Sequence, residues 1–194
     1  LILEPYSNEL IMLLKGLIRK CLQMQGWELI GERPALKKFI FIVAPHTSQI
    51  DFIHGKIFCS LLGMKPKVMI KKESFWFPLG LLLKSLGGLP VERSSYQSLA
   101  RNLVKTFDES DELILVITPE GNRKKVSRWK RGFHYIGRAA NIPIVLTYID
   151  YKTRRMGIGP TIELSDNFQE DIKKIKAFYR GMEGRHPELF SAED

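Results

Sequence analysis

The chain has 194 residues, enough for one domain with a substantial core and too few to expect two. Its 44% hydrophobic and 26% charged residues are ordinary for a folded globular protein and exclude a disordered chain. A net charge of +9 points to anionic partners such as nucleic acid, anionic lipid or acidic carriers, which a basic surface concentrates through its long-range field.

Cys21 and Cys59 stand in apolar surroundings without metal-ligand spacing, which suits a reducing compartment better than a disulfide framework. No run of 18 or more apolar residues supports a spanning helix. The start at Leu1 rather than methionine leaves open a leader or anchor ahead of it.

In chain order, residues 10–25 carry Leu10, Leu14, Leu17, Ile18, Cys21 and Leu22 at helical spacing, with Lys15, Arg19 and Lys20 beside that stripe and no acid. This predicts a basic amphipathic helix that either packs on its own core or lies on a membrane surface. Its three cations would contribute only about 3 kcal/mol near an anionic leaflet, so apolar burial would have to supply the rest. Strand and helix signals then alternate. Strands are predicted at 39–44, 67–71, 113–118, 142–151 and 155–164, and helices at 48–62, 75–86, 95–108, 131–140 and 167–180. A glycine-proline loop separates the helices at 75–86 and 95–108.

The alternation predicts an α/β three-layer sandwich, with a mostly parallel, mixed central sheet and helices on both faces, preceded by the N-terminal amphipathic helix. The expected division is an N-terminal amphipathic helical segment at 1–30, a candidate for membrane contact, and a single domain at 31–194. Sites in such sheets gather at the carboxyl ends of the strands. Three polar loops there are expected to carry His46, Asp51, Glu92, Arg93, Glu120 and Arg123 towards one end of the sheet.

On a continuous helix, five residues would leave His46 and Asp51 about 140° apart, so the pair needs a corner between strand and helix. There Asp51 could fix the imidazole tautomer and leave the other ring nitrogen free as a base. Ser48-Gln49-Ile50-Asp51 also fits a capping box, which would explain Asp51 without His46. His54, three residues after Asp51, raises a His/Asp/His metal site as a further reading; His134 and His186 carry no such context. In the second loop Gly87 permits a tight turn, and Pro90 stiffens the approach to Arg93. The third loop opens a stretch from Gly121 to Ile149 with no acid and seven cations: Arg123, Lys124, Lys125, Arg128, Lys130, Arg131 and Arg138. It reads as a solvated basic face or a phosphate-binding one, and Glu120 at its head counts against a nucleic-acid grip.

Taken together, these loops resemble the glycerolipid acyltransferase family, which includes the bacterial 1-acylglycerol-3-phosphate (lysophosphatidic acid) acyltransferases. The blocks H-x-x-x-x-D at His46 and Asp51, G-x-x-P-x-x-R at Gly87, Pro90 and Arg93, and P-E-G-x-R at Pro119, Glu120, Gly121 and Arg123 occur in family order. A hydrophobic block around Pro143 follows. Glu92 stands where many members have Asp, Asn122 where many have Thr, and Pro143 lacks the second proline common after it.

The resemblance implies an O-acyltransferase in phospholipid synthesis, moving an acyl group from acyl-CoA or an acyl carrier protein to a lysophospholipid hydroxyl. His46 would be the general base and Asp51 its orienting partner. Arg93 and Arg123 would bind the acceptor phosphate, with Glu120 and Gly121 beside it and Gly87, Pro90 and Pro119 shaping the loops. No cofactor, metal or nucleic acid is expected, and the protein would sit peripherally on the cytoplasmic face of a membrane. Glycerol-3-phosphate or another lysolipid as acceptor, a hydrolase or metal enzyme, and a basic binding module without chemistry remain the alternatives.

Overall fold

The computed structural model describes residues 4–92 and 96–192. Helix α1 (Glu4–Met24) leads into the short strand β1 (Glu28–Ile30), and β2 (Lys38–Val43) follows. Then come α2 (Ile50–Leu61), β3 (Lys67–Lys71), a 3₁₀ turn at Lys72–Ser74, α3 (Leu79–Ser85) and β4 (Gly88–Val91). The rest is α4 (Tyr96–Glu109), β5 (Leu113–Ile117), α5 (Gly132–Ala139), β6 (Ile144–Asp150), β7 (Arg155–Ile162) and α6 (Phe168–Tyr179).

The strands form one sheet in the order β1-β7-β6-β2-β5-β3-β4. Strands β2 to β6 are mutually parallel, whereas β7 runs antiparallel to β6 and takes β1 along its outer edge. This is the expected mostly parallel, mixed sheet. Two strands depart from the sequence reading. β1 is only three residues long, and β4 occupies the segment predicted as a glycine-proline loop. Pro90 is tolerated there because β4 is the last strand of the sheet, where a missing N–H breaks no ladder. Gly87, just before it, has φ +84°, and a Cβ would stand 2.6 Å from the Pro66 carbonyl oxygen. The helix predicted over 75–86 shrinks to α3, because Pro78 falls inside that span and α3 starts after it.

Period-2 alternation along β2 supplies both faces of the core. Phe39 and Phe41 pack with Cys59 and Met64 on the α2 side. Ile40 and Ile42 pack with Leu103, Phe107, Phe133 and Ile175, the inward residues of α4, α5 and α6. Each fully buried side chain of this kind contributes about 1.5–3 kcal/mol, so the central strands are the most firmly held part of the molecule. Helix α5 is joined to α6 by a buried pair that the sequence reading passed over, His134 Nε2 to Asp171 Oδ2 at 3.0 Å.

One buried hydroxyl ties α6 to the strand ends beneath the polar loops. Tyr179, fully buried, donates to the Ile42 carbonyl at 2.7 Å, with the Thr147 carbonyl 3.0 Å away. Tyr179→Phe should therefore cost about 1–2 kcal/mol, read as a lower midpoint in urea unfolding with an unchanged slope.

Candidate active site

The carboxyl end of β2 runs through Pro45 into a non-helical corner before α2 begins at Ile50. Within that corner Asp51, in the first turn of α2, turns back on the chain. Its Oδ2 accepts the backbone N–H groups of Thr47 at 2.9 Å and Ser48 at 2.8 Å. The same oxygen lies 3.3 Å from His46 Nδ1. The two readings of Asp51 thus coexist in one carboxylate. A capping box centred on Ser48 does not form as expected, however. Gln49 takes the N-cap position with no side-chain bond, while the Ser48 hydroxyl accepts the Ile50 N–H at 3.3 Å.

Asp51 is 3% exposed. Burial pushes its carboxyl pKa upward, but the hydrogen bonds from His46, Ser48 and Tyr151 outweigh that effect and hold it below the ordinary value. Asp51 is therefore ionised beside an imidazole whose Nε2 is not needed for the pairing.

The neighbouring strand supplies the second part of the site. β5 lies beside β2 in register, Ile42 opposite Ile117, so Pro45-His46 and Pro119-Glu120 emerge side by side. The Glu120 carboxyl accepts the His46 backbone N–H at 3.1 and 3.3 Å, and so fixes the main chain at His46. Burial raises the Glu120 pKa to about 8, opposed by the His46 N–H and reinforced by the charge of Asp51, so it is largely protonated at neutral pH. Gly121 has φ +73°, and a Cβ there would meet Lys130 Cε at 2.5 Å. The Lys130 side chain therefore lies across the loop backbone, while its N–H returns to the Pro119 carbonyl at 2.8 Å.

His46, Asp51, Gly121, Arg123 and Lys130 share the wall of a cavity of about 1340 Å³. Apolar side chains including Phe41, Met69, Leu83 and Val91 line much of the remainder. Gly87 and Pro90 shape the β4 edge from which Val91 reaches this space. Arg93 lies outside the described residues. The strand before it stands three places from β2, about 14 Å across the sheet.

Sequence reasoning missed three contributors. In the sequence Lys130 is one member of a basic run, with nothing to set it apart. Tyr151, directly after β6, donates to Asp51 Oδ1 at 2.8 Å. The segment after α6 covers the corner: the Thr47 hydroxyl accepts the His186 N–H at 3.1 Å, and a Cβ at Gly184 would stand 2.5 Å from Thr47 Oγ1. Only the glycine in the middle of "MEGRHP" hinted at such a close approach. His54 does not converge with other ligands. Its ring meets Tyr151 and Trp27, and among the described residues no group of three or more His, Cys, Asp or Glu is placed to hold a metal ion.

An α/β sandwich that gathers a His-x-x-x-x-Asp corner and a Pro-Glu-Gly loop at adjacent strand ends defines the class of protein. The sequence model of the Acyltransferase family matches residues 24–149, and the chain belongs to that family. No curated protein sequence matches the chain. Among solved structures the fold is similar to that of the 1-acyl-sn-glycerophosphate (LPA) acyltransferase PlsC from Thermotoga maritima, with a TM-score of 0.62 and 14% identity. That match covers 90% of this chain and 78% of the other.

Glu120 gives the site a pH signature. With a folded pKa of about 8 against an ordinary 4.5, the folded state holds a proton that the unfolded state has lost, so stability falls as pH rises through that window. Glu120→Gln should remove this contribution. Its unfolding midpoint should fall less than the parent's between pH 5 and pH 8, measured in matched urea titrations.

Proposed function

We propose that the chain transfers a fatty acyl group from an acyl thioester, acyl-CoA or acyl carrier protein, to the hydroxyl of a lysophospholipid such as 1-acylglycerol-3-phosphate. The observation that carries this reading is the His46–Asp51 pair on the wall of a large, mainly apolar cavity that also bears Arg123 and Lys130. An apolar cavity suits an acyl chain, and cations beside a base suit a phosphate-bearing alcohol.

In this reading His46 Nδ1 is held by Asp51, and Nε2 takes the proton of the acceptor hydroxyl. The freed oxygen attacks the thioester carbonyl carbon, giving a tetrahedral oxyanion. Collapse of that intermediate breaks the carbon–sulfur bond, and the departing thiolate takes the proton back from the imidazolium. The hydroxyl is itself the nucleophile, so no acyl-enzyme is required. General-base catalysis of this kind contributes about 10²–10⁴ in rate. Arg93 and Arg123 would bind the acceptor phosphate.

A peripheral position on the cytoplasmic face of a membrane completes the proposal. No helix among the described residues is long and apolar enough to cross a membrane. Yet α1 leaves Leu10, Met12, Leu13, Leu14 and Leu17 exposed, and the stretch at α3 leaves Trp76, Phe77 and Leu81 exposed. Uncovered apolar surface of this extent marks an interaction site. The basic loop at Arg123, Lys124 and Lys125, all exposed, suits an acidic donor such as coenzyme A or a carrier protein.

His46→Ala should abolish acyl transfer while leaving thermal unfolding unchanged. Asp51→Asn should lose at least about 10²-fold, because an amide keeps the backbone bonds of the corner but not the charge beside His46. The measurement is product formation by mass spectrometry over a panel of lysolipids and glycerol-3-phosphate with both thioester donors. Near-normal turnover in His46→Ala would end this mechanism, and salt-sensitive RNA or DNA binding without turnover would favour a binding module.

Placing Glu at Met12 and Leu13 should lower cosedimentation with anionic phospholipid vesicles by about tenfold or more, since each charge removes apolar burial and repels the leaflet. Unchanged cosedimentation would assign α1 to another surface.

A further inference from the structure

Asp51 has two carboxylate oxygens, and the corner between β2 and α2 uses only one. Oδ2 receives Thr47 N–H, Ser48 N–H and the His46 ring. Oδ1 receives the hydroxyl of Tyr151 at 2.8 Å, and the Tyr151 oxygen lies 3.2 Å from His54 Nδ1. A tyrosine hydroxyl has one hydrogen, and an ionised carboxylate can only accept. The hydrogen between His54 and Tyr151 must therefore come from His54 Nδ1, and the chain runs in one direction: His54 N–H to Tyr151 O–H to Asp51.

The chain is held mechanically as well. Buried Trp27 packs on both rings, with centroids 4.8 Å from His54 and 5.2 Å from Tyr151. His54 lies on the face of α2 that carries Asp51, three residues away. Tyr151 follows β6, which lies parallel beside β2, so the sheet itself delivers the hydroxyl to the same end as the corner. Tyr151 falls two positions beyond the stretch that matches the family, residues 24–149.

We infer that Tyr151, backed by His54, is a positioning residue for the His46–Asp51 pair, fixing the rotation of the carboxylate so that Oδ2 faces the imidazole. The inference rests on the acyl-transfer reading above for its kinetic consequence, but not for its geometry. Neither link titrates in the working range. Burial lowers the His54 pKa, so the ring is neutral near pH 7, and burial followed by the bond to Asp51 raises that of Tyr151, so its proton stays in place.

The test compares Tyr151→Phe, His54→Phe and the double variant with the parent, alongside His46→Ala and Asp51→Asn. Phenylalanine keeps a ring against Trp27 in both positions, and melting temperature checks that each variant folds. Tyr151→Phe should lower kcat about tenfold with KM for donor and acceptor within about twofold, because the bond acts on the base and not on binding. His54→Phe should lower kcat by a smaller factor, about threefold, and the double variant should be no slower than Tyr151→Phe, since His54 acts only through Tyr151.

Parent-like kcat in Tyr151→Phe, with His46→Ala and Asp51→Asn inactive, would overturn the positioning role and leave the acyl-transfer reading standing. Losses that multiply in the double variant would overturn the chain. Active His46→Ala would instead remove the acyl-transfer reading, and the chain is then judged by ¹⁵N NMR of the His46 ring. A single Nδ1–H tautomer in the parent that becomes mixed in Tyr151→Phe supports the chain, and an unchanged tautomer overturns it.

Discussion

A carboxylate buried to 3% exposure keeps its charge only if hydrogen-bond donors surround it, and Asp51 gathers its donors from two distant parts of the chain. Thr47 and Ser48 supply backbone N–H groups from the corner and His46 faces the same oxygen, while Tyr151 supplies a hydroxyl from a position 100 residues later. Much of the architecture meets this single requirement. The parallel pairing of β2 with β6, Val43 opposite Thr147, brings their carboxyl ends to one level. The stretch after α6 then closes over the corner, where Gly184 leaves room for Thr47 and the His186 N–H reaches the Thr47 hydroxyl.

The second carboxyl group at these strand ends behaves in the opposite way. Glu120 is as buried as Asp51, but its donor among the described residues is the N–H of His46, so burial dominates and the proton stays on. The charge on Asp51 pushes in the same direction. Two carboxyl groups, one in the first turn of α2 and one in the loop after β5, are thus divided into an ionised one that faces the imidazole and a neutral one that fixes its main chain. The division leaves one negative charge beside His46, and it arises from the number of donors each group can reach, not from any difference in their acidity as amino acids.

The parts of this arrangement that were legible in the sequence are those with a local signature. β2, β5 and β6 are buried on both faces and so read as continuous apolar runs. β1 and β4 were not legible, because three or four residues carry no periodicity and the Gly-Leu-Pro-Val of β4 spells a turn anywhere but on a sheet edge. His46 and Asp51 could be paired by spacing alone once a corner was allowed. Tyr151 could not, because it closes the predicted strand at 142–151 and nothing nearby distinguishes its hydroxyl. Its contact with Asp51, like that of His186 with Thr47, spans about half the chain or more and leaves no trace in local pattern.

The two readings of Asp51 that the sequence leaves open, service to the helix end and orientation of His46, meet in the direction of its hydrogen bonds. Among the described residues, every group hydrogen-bonded to this side chain is a donor: two backbone N–H groups, the Tyr151 hydroxyl and, in the tautomer that leaves Nε2 free, the His46 Nδ1–H. A carboxylate is the one side chain of this length that accepts on every lone pair. An amide could keep the two backbone bonds only by turning its NH₂ towards Tyr151, and the hydroxyl would then have to reverse and donate to His54. Service to the helix end alone would ask only for acceptance of the Thr47 and Ser48 N–H groups, both of which one oxygen of residue 51 receives. Four converging donors are served by a carboxylate, so the identity of residue 51 is set by what lies beyond the helix end.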